Sequence, residues 1–451
     1  MGGQDVVYWK CQNMSSLLIK NATLASGQIV NIFIKDGLIY DIGNKSPLCD
    51  QKIDAQGQSI IPGVIDPHVH FRVPGAEYKE DWQTGSKAAV AGGVTTVLDM
   101  PNNQPAITTQ KTLDQKRRLI KNQSYVNYGL YLGATASNLN ELKTVSGIAG
   151  VKVYLGSTTG DLLVTDYQIV EEILAETNQI IAFHSEDEEC IKQFSIFPPR
   201  RRAGNFQFSN IAKRHNQLRP EECAEKSTGK IIELVKKTKK RAYICHVSGQ
   251  KEIELIRQAK DQKLPIYAEA SPHYLFLNTQ SAIDLGNFAK VNPPIRSEVS
   301  QQALQLSLSS GLIDTIGSDH APHTREEKEV DYAQAPAGVP GVETSLSLML
   351  NLVNQGAITL ARLVELMCST PADIFKISKR GKIEPGYFAD LVLVDLKLTY
   401  EVKNSKLYSK CGWSPFSGRH LKGVPMAVIV GGRLVYQKGK IFGPPGGCEV
   451  F

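Results

Sequence analysis

The sequence predicts an α/β protein, with a (β/α)8 barrel of the TIM type and a small β-sandwich domain built from both chain ends. In the middle of the chain, apolar β-branched runs alternate with segments of helical pattern, which is typical of a parallel sheet. Both ends instead show short β-rich stretches with turn signals. We therefore place the parts of the β domain at 1–61 and 381–451 and the barrel at 62–380.

Both chain ends show the same pattern of short β-rich stretches. The N-terminal part contains SLLIKNATL and QIVNIFIKDGLIYDIG, in which the dipeptide DG is a hairpin signal. The C-terminal part contains FADLVLVDL and MAVIVGGRLVYQKGKIF. Two β-rich ends that flank a different middle indicate one small domain with strands from both ends.

The middle of the chain carries eight apolar runs, which we expect to be the barrel strands. Segments such as STGKIIELVKKTKK and GQKEIELIRQAKD separate most of them and have helical periodicity. The stretch SIFPPRRRAGNFQFSN has neither pattern and is expected to be a long loop. In chain order the eight runs are VIDPHVHF, VTTVLDM, YVNYGLYLGAT, GVKVYLG, QIIAFHS, RAYICHVSG, PIYAEASP and IDTIGSD.

Composition excludes several classes of protein. The chain has 451 residues, of which 42% are hydrophobic and 21% charged, with a slight formal net charge of +6. The basic clusters at 200–202 and 236–241 lack a nucleic-acid recognition motif, so we interpret them as solvated surface. No apolar run approaches the ~18 residues of a membrane span. We expect neither nucleic acid nor membrane as a partner.

The number and spacing of the cysteines indicate the cellular compartment in which the protein is expected. Eight of them are scattered singly, and none forms a CxxC pair. The chain starts without a secretory apolar region. We therefore expect reduced thiols in a cytoplasmic protein.

Side chains of the metal-ligand type follow the predicted strands. In a (β/α)8 barrel, functional residues collect at the C-terminal ends of the strands. Alternate residues of a strand share a face, so His68, His70 and Arg72 should point the same way. One histidine in a strand is more often a hydrogen-bonded core residue, but here that explanation would be needed at several strand ends. The residues concerned are His68, His70, Lys152, His184, His246 and Asp319.

Lys152 is unusual because it lies within the apolar strand GVKVYLG. Burying an unpaired charge there costs several kcal/mol. Carboxylation by carbon dioxide would solve this, because the carbamate is an anion whose two oxygens can bridge two metal ions. A side chain that extends to the solvent at the rim would solve it as well.

Such a set of ligands indicates a hydrolytic reaction. Two divalent ions about 3.5–4 Å apart can hold a bridging hydroxide and polarise a carbonyl group. Imidazole and carboxylate ligands suit zinc best. Asp319 would bind one metal ion and pass a proton from the water to a leaving nitrogen. The pattern therefore predicts hydrolysis of an amide or related bond, or the reverse reaction.

With these residues placed, the chain resembles the amidohydrolase superfamily and, within it, the long bacterial type of dihydroorotase. The resemblance runs from IIPGVIDPHVHFR to SPFSGRHLKG. It implies a metal-dependent hydrolase barrel with two metal ions. His68 and His70 would be the first metal pair, Lys152 the carboxylated bridge, His184 and His246 the ligands of the second metal, and Asp319 the last ligand and proton shuttle.

Four further residues match substrate-binding positions of that family. Arg72 follows HVHF, Asn102 lies in MPN, Asn292 in VNPPIR and His323 in SDHAPHT. Arginine can hold a carboxylate with two parallel hydrogen bonds. A surface salt bridge remains the alternative for Arg72, and a turn role remains the alternative for the two asparagines.

The resemblance is not complete. Val73 replaces the usual acidic residue of the family, and MPNT appears as MPNN. Lys152 places the chain in the branch that uses a carboxylated lysine instead of aspartate. We also expect the PAGVPG stretch at 336–341 to lie over the substrate or to be a plain turn-rich connection, and we expect His273 to be structural.

The predicted activity is the reversible cyclisation of N-carbamoyl-L-aspartate to (S)-dihydroorotate in de novo pyrimidine biosynthesis. The partner is then a small-molecule substrate, and a homo-oligomer stays open. One alternative is another cyclic amidase, such as a hydantoinase, dihydropyrimidinase or allantoinase, whose substrate would leave Arg72 without a carboxylate. A second alternative is a non-catalytic scaffold, although every expected metal ligand is present.

Overall fold

The structure is a computed structural model that describes residues 16–158, 160, 162–196 and 209–451. Cys11, the basic cluster at 200–202 and most of the predicted long loop lie outside the described residues. The expectations for these segments therefore stay predictions.

Seventeen strands occur in the described chain. The N-terminal part forms β1 (Leu17–Thr23), β2 (Ile29–Lys35), β3 (Leu38–Gly43), β4 (Gln51–Asp54) and β5 (Ser59–Pro62). The middle forms β6 (Val64–Val69), β7 (Val94–Asp99), β8 (Asn127–Gly133), β9 (Gly150–Tyr154), β10 (Ile181–His184), β11 (Ala242–Ile244), β12 (Ile266–Ala270) and β13 (Thr315–Ile316). The C-terminal part forms β14 (Leu391–Glu401), β15 (His420–Val430), β16 (Arg433–Gln437) and β17 (Lys440–Ile441).

Helices fill most of the connections between the middle strands. They are α1 (Trp82–Ala91), α2 (Gln110–Ile120), α3 (Leu139–Thr144), α4 (Tyr167–Glu176), α5 (Glu188–Ile196), α6 (Ser209–Leu218), α7 (Glu221–Thr238), α8 (Gln250–Asp261), α9 (Pro272–Phe276), α10 (Thr279–Leu285), α11 (Glu298–Ser309), α12 (Arg325–Lys328), α13 (Ser345–Asn354), α14 (Leu360–Val364) and α15 (Thr370–Ile374). Short 3₁₀ turns occur at Gly286–Ala289 and Asn404–Lys406, and a π-helical turn at Glu365–Ser369.

Local sequence signals explain these elements. The two segments with predicted helical periodicity lie in α7 and α8. α7 begins with two glutamates and carries two lysines in its last turn, which suits the helix dipole. Its buried face includes Ile231, Ile232 and Val235. The strands carry the β-branched runs, and β6 to β10 are buried along their whole length.

The middle strands confirm the predicted barrel. All eight are parallel, and each pairs with the next strand in the chain, from β6 to β13. The first and last strands meet just beyond their ends, where His70 N donates to His320 O at 2.8 Å. Ser318 N also donates to Asp66 Oδ1 at 3.0 Å. The C-terminal strand ends therefore face one rim of a nearly closed barrel.

Strands from both chain ends form the second sheet, which confirms the predicted β domain. Its nine strands run in the order β17-β16-β15-β14-β5-β1-β2-β3, with β4 beside β1. The antiparallel pair of β5 and β14 joins the two ends, with Leu391 opposite Pro62. Only Gly63 separates β5 from β6, so this sheet anchors the first barrel strand. The boundaries at 61 and 381 stay a proposal.

The expectation of reduced thiols is wrong for one pair of cysteines. Cys190 of α5 and Cys223 of α7 form a disulfide with Cα atoms 5.4 Å apart. The two cysteines are 33 positions apart in sequence, so they do not form the CxxC spacing that marks a local pair. The other described cysteines are free thiols. None of the helices in the described ranges combines the length and the apolar character needed to cross a membrane.

Candidate metal centre and substrate pocket

The barrel brings the six candidate ligands to one rim. His68 lies in β6, Lys152 in β9 and His184 at the end of β10, while the other three lie in the first residues after their strands. Asp319 Oδ1 lies 3.1 Å from His70 Nε2 and 3.3 Å from His68 Nε2. His184 Nδ1 lies 3.1 Å from His246 Nε2. Residues far apart in sequence thus form one buried cluster.

The backbone is strained where three site residues leave their strands. Arg72, His246 and Asp319 have φ angles of 64°, 37° and 46°. This left-handed region is uncommon for residues other than glycine, and such strain collects at functional sites. Side chains of neighbouring strands hold the backbone here: His246 N donates to Glu269 Oε1 at 2.9 Å. The left-handed conformations therefore determine the directions in which the side chains of Arg72, His246 and Asp319 leave the backbone.

Three acceptors orient three of the imidazole rings. His68 Nδ1 bonds Glu269 Oε1 at 2.8 Å, which leaves Nε2 facing Asp319. His70 Nδ1 bonds Asn102 Oδ1 at 2.7 Å. His184 Nε2 bonds Glu186 Oε2 at 3.1 Å. Such partners fix the tautomer and orientation of metal-binding histidines.

Sequence reasoning missed the two glutamates among these acceptors. Glu269 interrupts the apolar run PIYAEASP, and Glu186 follows directly after β10. Both carboxylates are fully buried. A buried acidic residue in a strand run was the signal that could have revealed Glu269, because such a charge needs a partner.

The cluster shifts the pKa values of its members. Burial lowers the pKa of His68, but the carboxylates of Glu269 and Asp319 outweigh it and raise the pKa to about 10. Burial would raise the pKa of Asp319, yet His68 and His70 hold it well below its usual value. Burial, with His184 and Lys152 beside it, holds the pKa of His246 well below its usual range. Asp319 is therefore an anion, and His246 is a neutral imidazole that can bind a metal.

Lys152 is fully buried, so it does not extend to solvent at the rim. Its Nζ donates to Cys245 Sγ at 3.0 Å and lies 5.1 Å from the ring centre of Tyr154. In the part of the chain that the structure describes, no carboxylate forms an ion pair with it. A charged amine in this position lacks the partner that burial normally requires.

The donor set fits divalent metal ions. His246 Nδ1 is buried and has no hydrogen-bond partner among the described residues. One ligand atom from each of His68, His246 and Asp319 lies within 4.8 Å of the others. His246 as a neutral imidazole and Asp319 as a carboxylate are in the forms that bind metals, while His68, whose pKa is raised to about 10, would release its proton when a metal binds.

A small cavity opens above the ligand cluster. Arg72, Asn102 and Asn292 line it together with the candidate ligands. Asn292 Oδ1 is a buried atom without a partner within the described ranges. Ala337 and Gly338 also line the cavity, so the PAGVPG stretch lies at the pocket as one of the two expectations requires.

Arg72 lines the polar end of this pocket, whereas His323 is fully buried next to Arg72 and lies outside the lining of the cavity. Arg72 is buried, its Nε donates to Pro322 O at 3.2 Å, and its Nη2 lies 3.4 Å from His323 Nε2. No described carboxylate forms an ion pair with Arg72, so its charge lacks an anionic partner. Burial lowers the pKa of His323 to about 3, so the imidazole is neutral.

Other histidines have different surroundings. His320, which sequence reasoning passed over, lies 3.3 Å from Glu80 Oε2 and accepts from Gly341 N at 3.2 Å, so it ties the barrel end together. His273 is buried in α9, outside the lining of the pocket. His420 is exposed, and His215 Nε2 donates to Val291 O at 3.0 Å.

Comparison with known proteins places this barrel and its site in one class, the metal-dependent hydrolases of the amidohydrolase type. The chain belongs to the amidohydrolase family, whose sequence model matches residues 59–435. This confirms the resemblance found in the sequence.

More particular matches come from curated relatives named dihydroorotase. The chain is 35% identical over 435 residues to the dihydroorotase of Methanosphaera stadtmanae, which covers 95% of this chain and 98% of that protein. It is 37% identical over 420 residues to the dihydroorotase of Pyrococcus furiosus, covering 93% and 92%.

Among solved structures, the chain is similar to L-hydantoinase (dihydropyrimidinase) from Arthrobacter aurescens. The TM-score is 0.90 at 30% identity, covering 96% of this chain and 99% of that one. Dihydropyrimidinase from Brevibacillus agri follows with a TM-score of 0.86 at 25% identity, covering 96% and 97%.

Proposed function

We propose that this chain is a dihydroorotase, which interconverts N-carbamoyl-L-aspartate and (S)-dihydroorotate in pyrimidine biosynthesis. The observation that carries the proposal is Arg72, a buried guanidinium beside the ligand cluster that has no anionic partner in the described chain. Both compounds carry a carboxylate that a guanidinium can bind with two parallel hydrogen bonds. The relatives named dihydroorotase support the same assignment.

Six residues would hold the metal ions of this reaction. Zinc suits the donor set best. When bound, two such ions supply an activated water and polarise the carbonyl group that is attacked. The burial of Lys152 without an acidic partner supports its carboxylation, in which the amine bonds the carbon of carbon dioxide and releases a proton. The six are His68, His70, Lys152, His184, His246 and Asp319.

Asp319 would move the proton. It is an anion at neutral pH, and its Oδ1 faces Nε2 of both His68 and His70 at the floor of the cavity. In ring opening, its carboxylate accepts the proton of the attacking water and delivers it to the ring nitrogen that leaves. In cyclisation, it takes a proton from the carbamoyl nitrogen.

The polar end of the pocket would bind the substrate carboxylate. Arg72 presents its guanidinium there, and neutral His323 lies against it at 3.4 Å. Asn102 would contribute its amide nitrogen, because Oδ1 already accepts from His70. Asn292 Oδ1 is a buried acceptor that a ring N–H could satisfy.

A second candidate is a cyclic amidase for substrates without a carboxylate. The structural similarity to L-hydantoinase (dihydropyrimidinase) favours it. Such a substrate would leave the charge of Arg72 buried and unpaired in the complex, which is costly. We therefore prefer the dihydroorotase assignment. We also propose a cytoplasmic location: five described cysteines are free thiols, which supports it, whereas the Cys190–Cys223 disulfide is of a kind more common in oxidising compartments.

Hydrolysis of L-dihydroorotate by the purified protein, followed by ultraviolet absorbance, tests the assignment. We expect turnover in the wild type and a fall in kcat/KM of about 100-fold or more in Arg72→Ala, because one bidentate charge contact is lost. Arg362→Ala is the matched control, since this arginine binds Leu308 O and Ile313 O away from the pocket. Hydrolysis of dihydrouracil or hydantoin without hydrolysis of dihydroorotate would favour the second candidate.

A further inference from the structure

Two walls of the substrate pocket come from loops and not from barrel strands. Val291 and Asn292 line one wall, in the connection between β12 and β13. Ala337 and Gly338 line the other wall, after α12. A bridge between Val339 and His320 joins the second wall to the barrel end, but the named barrel strands do not include the first wall, so the strand ladder alone does not fix the distance between the walls. Other contacts must fix it if the pocket is to be ready for its substrate.

One buried ammonium group ties these two walls together. Lys328, the last residue of α12, has no exposed surface. Its Nζ donates to Pro336 O at 2.8 Å and Gly338 O at 2.9 Å, and it reaches Lys290 O at 3.4 Å. A lysine ammonium has three protons to donate, and here its acceptors belong to both walls.

The contact network of Lys328 is not that of an ion pair. None of the carboxylates in the described ranges lies within ion-pair distance of its ammonium group. Burial, with Lys290 as the next cause, lowers the pKa of Lys328 to about 7. A buried charge is unfavourable unless hydrogen bonds satisfy it, and here three backbone carbonyl groups of the two walls accept from the ammonium group.

Neighbouring contacts extend the tie to the polar end of the pocket. Gly338 N donates to Lys290 O at 2.9 Å, so the walls also meet directly. Lys290 Nζ donates to Tyr332 O and Ala335 O, both at 2.6 Å. Ala337 O accepts from His323, whose Nε2 lies 3.4 Å from Arg72 Nη2. The segment 336–338 is thus linked to the residue proposed to bind the carboxylate.

We propose that Lys328 is a positioning residue for substrate binding. Its ammonium group presets the separation of the two loop walls and the direction of the backbone groups of Ala337 and Gly338 toward a cyclic amide. The proposal rests on the proposed function of the pocket. Without the Lys328 contacts, the backbone bond from Gly338 N to Lys290 O is left as the direct link between the walls, so the substrate must order them further, which weakens binding. Lys328 has no contact with the candidate metal ligands, so the chemical step should change less.

Lys328→Met tests the proposal because it removes the donor and keeps the length of the side chain. We expect KM for dihydroorotate to rise about tenfold or more while kcat changes less than about threefold and metal content is kept. Lys260→Met is the matched control. Its ammonium donates to Gly311 O at 3.2 Å and Asp314 Oδ2 at 2.7 Å, away from the pocket. That variant should keep the wild-type KM.

A second variant and a second measurement protect the test against misfolding. Lys328→Gln keeps two N–H donors, so its KM should fall between those of the wild type and Lys328→Met. Hydrogen exchange of the segment 329–341 without substrate should be faster in Lys328→Met than in the wild type. An unchanged KM with unchanged exchange would overturn the proposal, and so would a loss of metal or kcat at constant KM.

Failure of the proposed function gives a different result. A wild-type protein that acts on dihydrouracil or hydantoin but not on dihydroorotate would refute the substrate assignment alone. The KM comparison would then use the accepted substrate. The exchange measurement needs no substrate, so it reports on the tie in either case.

Discussion

At the scale of single residues, the site depends on partners that hold each ligand in one orientation. Glu269 shows this most directly. Its Oε1 accepts from His68 Nδ1 and from His246 N, and its Oε2 accepts from Tyr243 Oη at 2.8 Å. One buried carboxylate thus fixes one candidate ligand by its ring and another by its backbone.

Glu269→Ala should lower the affinity for the metal ions by about 10- to 100-fold, because the His68 ring loses its fixed tautomer and direction. Metal content after dialysis against a graded series of chelator concentrations measures this affinity without reference to activity. Glu365→Gln is a suitable control, since Glu365 is an exposed partner of Arg362 outside the site. Equal metal retention in Glu269→Ala and the wild type would contradict the prediction.

At the scale of elements, the strands place the metal ligands and the loops after them shape the pocket. The apolar runs predicted all eight barrel strands, because side-chain type and run length are local properties. The loop that contains Gly338 was predicted only as one of two possibilities. Its position depends on contacts with Lys328 and Lys290, which no local pattern encodes.

Gly338→Ala should disturb this loop for two reasons: the backbone angle is unfavourable for alanine, and the added Cβ atom would clash with a neighbouring carbonyl group. Gly338 has a φ of +142°, and a Cβ atom there would lie 2.4 Å from Ala321 O. We expect kcat/KM to fall about tenfold or more, since small displacements of positioning groups are costly. Gly356→Ala is the matched control, with a φ of +76° and open space around a Cβ atom.

That control should destabilise the fold by about 1–2 kcal/mol, the usual cost of a left-handed conformation, while leaving kcat/KM unchanged. Steady-state kinetics and thermal unfolding of both variants make the comparison. Equal kinetics in the two variants would show that the close approach of Gly338 to Ala321 has no functional role.

At the scale of the whole molecule, the β domain and the barrel share a buried boundary. The carboxylate of Glu343, just before α13, accepts from Tyr408 N at 2.9 Å, in the connection between β14 and β15. Burial raises its pKa to about 8. The unfolded chain therefore releases this proton at lower pH than the folded chain does.

Stability should consequently depend on pH through Glu343. Between about pH 4.5 and 8 the folded state holds more protons at this group than the unfolded state, so its contribution to stability falls as pH rises. Glu343→Gln should remove that dependence. We expect the variant to gain stability relative to the wild type at pH 9 compared with pH 5, measured by denaturant unfolding. A difference that is the same at both pH values would contradict this.

The sequence by itself determined the barrel, the β domain from both ends and the types of side chain at the strand ends. These follow from local periodicity and from the chemistry of imidazole and carboxylate groups. Only the tertiary structure decided the rest: the partner of His68 lies 201 residues away in Glu269, and Cys190 pairs with Cys223. The tertiary structure also decided the contacts of Lys328 with the two pocket walls, because its segment TREEKEV has the pattern typical of a charged surface helix. Contacts between distant residues depend on how the elements pack, and a local pattern carries no record of that packing.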